Sequence, residues 1–321
     1  MPLDETLSAI LEAVAADAPE MDFDTLTPEE FREINGDYSE GGGEEVDVIE
    51  NLNLANVDGG EMAIRIYRPK GVDGRSPAIV FFHGGGWVVG NLNSYDGQCR
   101  GLANRSGAVL IAVDYRKAPE HPFPTPPEDC YSALCQIAKN SEGLGIDSER
   151  IAVAGDSAGA NLATVVCQMS RDRNGPKIKH QMLFYGCFDI DPDRWPSHQE
   201  NIEGPILPGV MMRWFYRHYV GAEKFIGESY AAPIHSKDFS GLPSAQIITG
   251  ELDILRDEGE AYAKVLKEAG VETYYECIPS LPHAFLVFFE MVPAAREVMD
   301  LACKRLADAL LAISFQILTR L

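Results

Sequence analysis

The chain carries two hydrophobic periods, and the switch between them divides it. Near the N-terminus the period is helical. Within residues 4–16, Leu7, Ile10, Leu11 and Val14 recur at the spacing of one helix face. Thr27-Pro28-Glu29-Glu30 reads as a second helix start, with Thr as N-cap, Pro at the first position and Glu three residues after the cap. Gly41-Gly42-Gly43 then breaks the pattern. Beyond it, residues 45–54 and 61–68 alternate around Gly59-Gly60, which predicts an antiparallel hairpin.

From there short β-rich runs alternate with helical stretches. The runs are Ala78–Phe82, Ala108–Val113, Ile151–Ala154, Gln181–Tyr185, Ala245–Thr249 and Thr273–Ile278. The helical stretches are roughly 95–106, 127–140, 158–172, 257–269 and 294–313. Such alternation predicts an α/β fold, a mostly parallel sheet with helices on both faces and reactive groups at the carboxyl ends of its strands. Residues 188–222 interrupt the rhythm with Pro192, Pro196, Pro205 and Pro208, followed by a helix over Val210–Val220. An insertion of that kind after a strand end reads as a lid. The expected organisation is an N-terminal helical segment (1–50), a core in two parts (51–187 and 223–321) and a lid insertion (188–222).

Composition narrows the function. The 321 residues hold 27 Lys+Arg against 49 Asp+Glu, a net charge of −22. That excludes binding of nucleic acid or an anionic membrane through a basic patch. Residues 1–50 hold 16 acidic residues and one basic residue, Arg32, so most of the excess sits there. The seven cysteines form no C-x-x-C, which fits neither a disulfide framework nor a zinc site. Free, mostly buried thiols in a reducing cytoplasmic setting are expected, with Cys277 and Cys303 among the buried ones. The N-terminus lacks the basic and apolar regions of a signal peptide. No stretch reaches about 18 apolar residues, so no membrane span is expected. The apolar run Leu306–Leu318, interrupted by Asp308 and Gln316, reads as a packed helix.

Two motifs carry chemistry. Gly155-Asp156-Ser157-Ala158-Gly159 lies between a β-rich run and a helical pattern, the context of a nucleophile elbow. A turn that sharp admits only small residues beside the serine, and it aims the hydroxyl at the free N–H groups of the following helix. Ala78–Phe82 runs into His83-Gly84-Gly85-Gly86-Trp87. Glycine amides there can approach a substrate oxygen closely, which makes an oxyanion hole. A phosphate loop would want a following Lys and helix.

HGGGW, Asp114-Tyr115-Arg116-Lys117-Ala118-Pro119-Glu120 and GDSAG together resemble the hormone-sensitive-lipase-like α/β-hydrolases, and more narrowly their bacterial carboxylesterase branch (family IV). The resemblance covers about residues 60–310 and departs at Lys117, more often Leu, and Ala160, often Gly. It implies an α/β-hydrolase fold with an eight-stranded sheet and a cap built from the N-terminal helical segment (1–50) and the insertion (188–222). It implies a triad of Ser157 with a downstream acid and histidine, in that chain order. His283, followed by Ala284 and Phe285, matches the family's His-x-Phe and is the expected general base. The acid lies in Gly250 to Glu258, where Glu251, Asp253, Asp257 and Glu258 compete. Asp253 aligns with the first Asp of the family's D-x-L-x-D. Asp257 and Glu258 suit the start of the next helix, and Glu251 is open to pairing with a cation.

The implied reaction is hydrolysis of short- to medium-chain acyl esters through an acyl-enzyme, with the oxyanion held by the N–H groups of Gly85, Gly86 and Ala158. His83, Gly84 and Asp156 would support the motifs, and Asp114, Tyr115 and Arg116 would form a polar network below them. Trp87, Phe188, Trp214, Phe215 and Leu286 are candidate pocket walls. No metal or organic cofactor is needed, and the expected partner is a small ester. A homodimer is left open, because such relatives often pair. The same triad serves amidases and acyltransferases. A receptor that has lost a triad member is the rival outside enzymes, and the presence of Ser157, Asp253 and His283 in order argues against it.

Overall fold

In the computed structural model, residues 2–311 are described except 17, 18, 20, 36–41, 73, 222–224 and 226. Gly41 of the glycine break and residues 312–318 of the C-terminal apolar run therefore lie outside the described residues. Two helices come first, α1 (Glu5–Ala15) and α2 (Pro28–Ile34). Thr27 and Glu30 form the expected reciprocal cap on α2: the Glu30 N–H donates to Thr27 Oγ1 and the Thr27 N–H to Glu30 Oε2. Strands β1 (Val48–Ala55) and β2 (Glu61–Arg68) form the expected hairpin. Its turn is tightened by Asn56 Oδ1, which accepts from the N–H groups of Asp58 and Gly60.

The remaining strands are β3 (Ser76–Phe82), β4 (Val109–Val113), β5 (Ile146–Asp156), β6 (His180–Phe184), β7 (Ser244–Leu252) and β8 (Thr273–Pro282). Their spatial order is β1-β2-β4-β3-β5-β6-β7-β8, with β1–β2 and β2–β4 antiparallel and all later pairs parallel. This is the eight-stranded, mostly parallel sheet expected. The helices between strands are α3 (Asp96–Ser106), α4 (Thr125–Lys139), α5 (Ala158–Asp172) and α8 (Arg256–Glu268), and α9 (Pro293–Leu311) follows the last strand. Two buried apolar layers, one on each face, cover the sheet. Strands β3, β4 and β6 are almost wholly enclosed, and their runs Ala78–Phe82, Val109–Val113 and Met182–Phe184 are apolar for that reason.

Between β6 and β7 the chain forms α6 (Ser197–Glu200) and α7 (Gly209–Tyr219). The first has no counterpart in the hydrophobic pattern, since four residues are too few to show a period. Helix α7 packs on the N-terminal segment: Trp214 Nε1 donates to the Leu26 carbonyl at 3.0 Å, and Arg217 Nη2 to the Phe23 carbonyl at 2.9 Å. Phe31 meets Trp214 and Phe215 edge-on, with ring centroids 5.0 and 5.8 Å apart. All seven cysteines are unpaired and five are buried. Cys303 is buried as expected, but Cys277 is only half-buried, because β8 is an edge strand. Among the described residues no helix is long and apolar enough to cross a membrane.

Candidate active site

Ser157 stands where β5 ends and α5 begins. Its backbone is left-handed, with φ 53° and ψ −123°, a conformation a non-glycine residue holds only where its surroundings impose it. Gly155 and Gly159 explain how the turn is reached. A methyl group on Gly155 would collide with the Gly159 carbonyl, and one on Gly159 with the Phe82 carbonyl of β3. The serine N–H is held by the Phe184 carbonyl at 2.9 Å.

His283 follows β8 directly, and Asp253 follows β7. The strand β8 runs four residues further than its apolar run suggested, as far as Pro282, and so delivers His283 to the sheet end. His283 Nδ1 lies 2.9 Å from Asp253 Oδ2, and Nε2 lies 2.9 Å from Ser157 Oγ. A carboxylate only accepts, so Nδ1 carries the proton and donates it to Asp253. Nε2 is then left to accept from the serine hydroxyl. Asp253 is fully buried, and its other oxygen accepts from the Leu255 N–H at 2.9 Å. The Tyr185 ring meets the imidazole edge-on at 5.0 Å.

The competing carboxylates are engaged elsewhere. Glu251 accepts from the Ser280 N–H at 3.1 Å. Asp257 opens α8, pairs with Arg256 and accepts from the Ser197 N–H. Glu258 also lies in the first turn of α8 but is fully buried, and one oxygen accepts from the N–H groups of Phe188 and Asp189, both at 2.6 Å. Burial pushes its pKa up to about 7. A helix-dipole role alone would have left it at the surface.

The glycine loop after β3 faces the serine. Gly85 and Gly86 have φ 101° and 59°. Among the described residues nothing accepts a hydrogen bond from the N–H of Gly85, Gly86 or Ala158. A methyl group on Gly86 would strike the Phe215 ring. His83 is buried, stacked on Tyr115 at 4.4 Å, with Nδ1 2.7 Å from the Gly84 carbonyl. Burial lowers its pKa. Asp156 joins the two motifs: its oxygens accept from the Gly84 N–H at 3.0 Å and the Tyr95 hydroxyl at 3.1 Å. Burial raises its pKa to about 6.

The expected polar network below the motifs divides. Tyr115 donates to the His83 carbonyl at 2.7 Å, whereas Arg116 turns away to Asp129 and Asp58. Lys117, a departure from the family pattern, pairs with Asp114 at 2.6 Å.

A cavity of about 240 Å³ opens over Ser157 and His283, walled by Phe31, Trp87, Leu207, Met211, Met212 and Phe215. Of the five candidate wall residues, Trp87 and Phe215 line it and three do not. Phe188 stacks on Tyr262 at 4.5 Å in the core, Leu286 is buried beneath the sheet end, and Trp214 faces the N-terminal segment. Phe31, Met211 and Met212 lie on α2 and α7 and Leu207 lies just before α7, and none was singled out, because helical spacing marks an apolar face without telling whether a core or a cavity lies against it.

The chain belongs to the alpha/beta hydrolase fold family, whose profile matches residues 79–287. It is similar to the carboxylesterase NlhH of Mycobacterium tuberculosis, 39% identical over 78% of this chain and 79% of that one. It is also similar to an ethyl acetate hydrolase of Pseudomonas putida, 34% identical over 84% and 86% of the two chains. The solved structure of a hyperthermophilic esterase from the archaeon Pyrobaculum calidifontis superposes with a TM-score of 0.87 at 38% identity, covering 97% of this chain and 100% of the other.

Proposed function

We propose that the protein is a serine carboxylesterase acting on short- to medium-chain acyl esters. The observation that carries this is the line of two 2.9 Å contacts from Ser157 Oγ through the His283 ring to Asp253, at the floor of the cavity. His283 Nε2 takes the Ser157 proton as Oγ attacks the acyl carbon. The oxyanion that forms meets the unengaged N–H groups of Gly85, Gly86 and Ala158, each donor worth about 10²–10³ in rate. The positive end of α5 adds to this field. Asp253 holds the Nδ1–H tautomer and stabilises the imidazolium without taking its proton. His283 then protonates the departing alcohol, and water enters by the same route to release the acid.

The N-terminal segment (1–50) and the insertion (188–222) serve as the cap, with 51–187 and 223–321 as the catalytic core. The packing of α7 on Phe23, Leu26 and Phe31 supports that division. The seven unpaired cysteines suit a cytoplasmic setting.

The test is hydrolysis of nitrophenyl esters from acetate to laurate by the unaltered protein and by Ser157→Ala. The expected result is turnover of the shorter esters and a loss of about 10⁴-fold or more in the variant. No turnover by the unaltered protein, or equal turnover by both, would overturn the reading.

A further inference from the structure

The loop that bears Asp253 is gripped from outside the core. Helix α6 and the residue after it, both in the insertion, bind it at consecutive points. Asn201 Nδ2 donates to the Asp253 carbonyl at 2.9 Å. The Ser197 hydroxyl donates to the Ile254 carbonyl at 2.8 Å, and the Ser197 N–H to Asp257 Oδ2 at 2.8 Å. The Asp257 N–H returns a bond to Ser197 Oγ at 3.3 Å, and Arg256 pairs with Glu200 at 2.7 Å. The last pair is at the surface and counts for little. The bonds from Ser197 and Asn201 go to backbone carbonyls of the acid's own turn, so they act on its position.

The grip is itself anchored. His198 is buried, and its Nε2 lies 3.6 Å from Glu258 Oε1. Glu258 in turn holds the amides of Phe188 and Asp189, where the insertion begins. The start of the insertion, α6 and the first turn of α8 are thus one hydrogen-bonded unit around the acid.

We infer that Ser197 and Asn201 are positioning residues for Asp253, so that the insertion sets the geometry of the acid as well as covering the cavity. This rests on the reading of Ser157, His283 and Asp253 as a triad. A displacement of about 1 Å at a reacting group costs up to about 10²-fold in rate. A shift of the Asp253 backbone carries both carboxylate contacts with it.

The experiment is steady-state hydrolysis of 4-nitrophenyl acetate by Asn201→Ala, Asn201→Asp and Ser197→Ala, each also in an Asp253→Asn background, with thermal melting alongside. Asn201→Asp keeps the shape and removes the N–H donor, so it carries the test if the alanine variant fails to fold. The expected result is a fall in kcat of about tenfold in the Asn201 variants, with KM within about twofold, and no further fall where Asp253 is already Asn. Unchanged kcat, a loss confined to KM, or a kcat loss that persists in full in the Asp253→Asn background would overturn the inference. No turnover by the unaltered protein would instead fail the esterase reading, and this inference with it.

Discussion

Arg32 Nε donates to the Val88 carbonyl at 2.9 Å. The same guanidinium donates to the Ala118 carbonyl and, through two nitrogens, to Glu120, each at 2.7 Å. The single basic residue of the acidic first fifty is therefore what fastens α2 to the turn after the glycine loop. Val88 and Val89 donate to the Gly85 carbonyl within that turn, so its position bears on the amides proposed to hold the oxyanion. Arg32→Ala is expected to lower kcat/KM for 4-nitrophenyl acetate by about tenfold, since loss of such placement is felt in the rate. Arg32→Lys should recover little of this, because a point charge cannot reproduce a planar fork that reaches four acceptor oxygens on three residues. Full activity in Arg32→Ala would show that the fastening is idle.

Phe215 and Gly86 touch across the cavity, one from α7 and one from the glycine loop. Gly86→Ala should cost about 10²-fold in kcat, through the clash and through the left-handed backbone at φ 59°. Adding Phe215→Ala removes the clash and leaves the backbone strain, so the double variant should recover part of the loss. Phe215→Ala alone should widen acceptance toward longer acyl chains. Measured kcat for the three variants decides; no recovery in the double variant would place the whole cost in the backbone.

His180 gives a pH dependence of stability away from the site. It sits at the start of β6, Nδ1 2.8 Å from Ser244 Oγ, with Nε2 buried and unpartnered among the described residues. Burial lowers its pKa from 6.5 to about 4. The folded protein thus resists a proton that the unfolded chain accepts. The stabilising difference is complete above pH 6.5 and is lost as pH falls toward 4. At about 1.4 kcal/mol per unit, the loss between pH 7 and pH 4.5 is on the order of 2 kcal/mol. Urea unfolding of the unaltered protein and of His180→Gln at both pH values should show a flatter response in the variant by about that amount. Equal slopes would contradict the assignment.

Exposed Glu29, Glu30 and Glu33 on α2 flank Phe31, which lines the cavity. Their field should disfavour anionic esters. A nitrophenyl ester ending in a carboxylate should be hydrolysed more slowly than its neutral match, and the gap should shrink as salt rises from about 10 mM to 0.5 M. A gap that does not change with salt would reduce the acidity to a solvated outer face.

The legible parts of this protein are those whose chemistry is local. Gly85, Gly155 and Gly159 are dictated by contacts within one turn or with the adjacent strand, whereas Gly86 answers to Phe215 from distant α7, and the strand-helix alternation follows from period alone. Asp253 and His283 stand thirty residues apart and were singled out by chain order and resemblance rather than by pattern. Arg32, Ser197 and Asn201 act across fifty residues or more, through single hydrogen bonds that no periodicity records. The walls of the cavity divide in the same way: Phe215 and Phe188 look alike in sequence, and only packing sends one to the cavity and the other against Tyr262.

The central claim is that Ser157 is the nucleophile, made so by His283. A 4-nitrophenyl alkylphosphonate tests it most directly, because attack on phosphorus leaves a stable adduct on the attacking atom. Intact-mass and peptide mass spectrometry should find one phosphonyl group per chain, on Ser157, with none in Ser157→Ala and greatly slowed labelling in His283→Ala. No adduct on a protein that hydrolyses esters, or an adduct on another residue, would contradict the account.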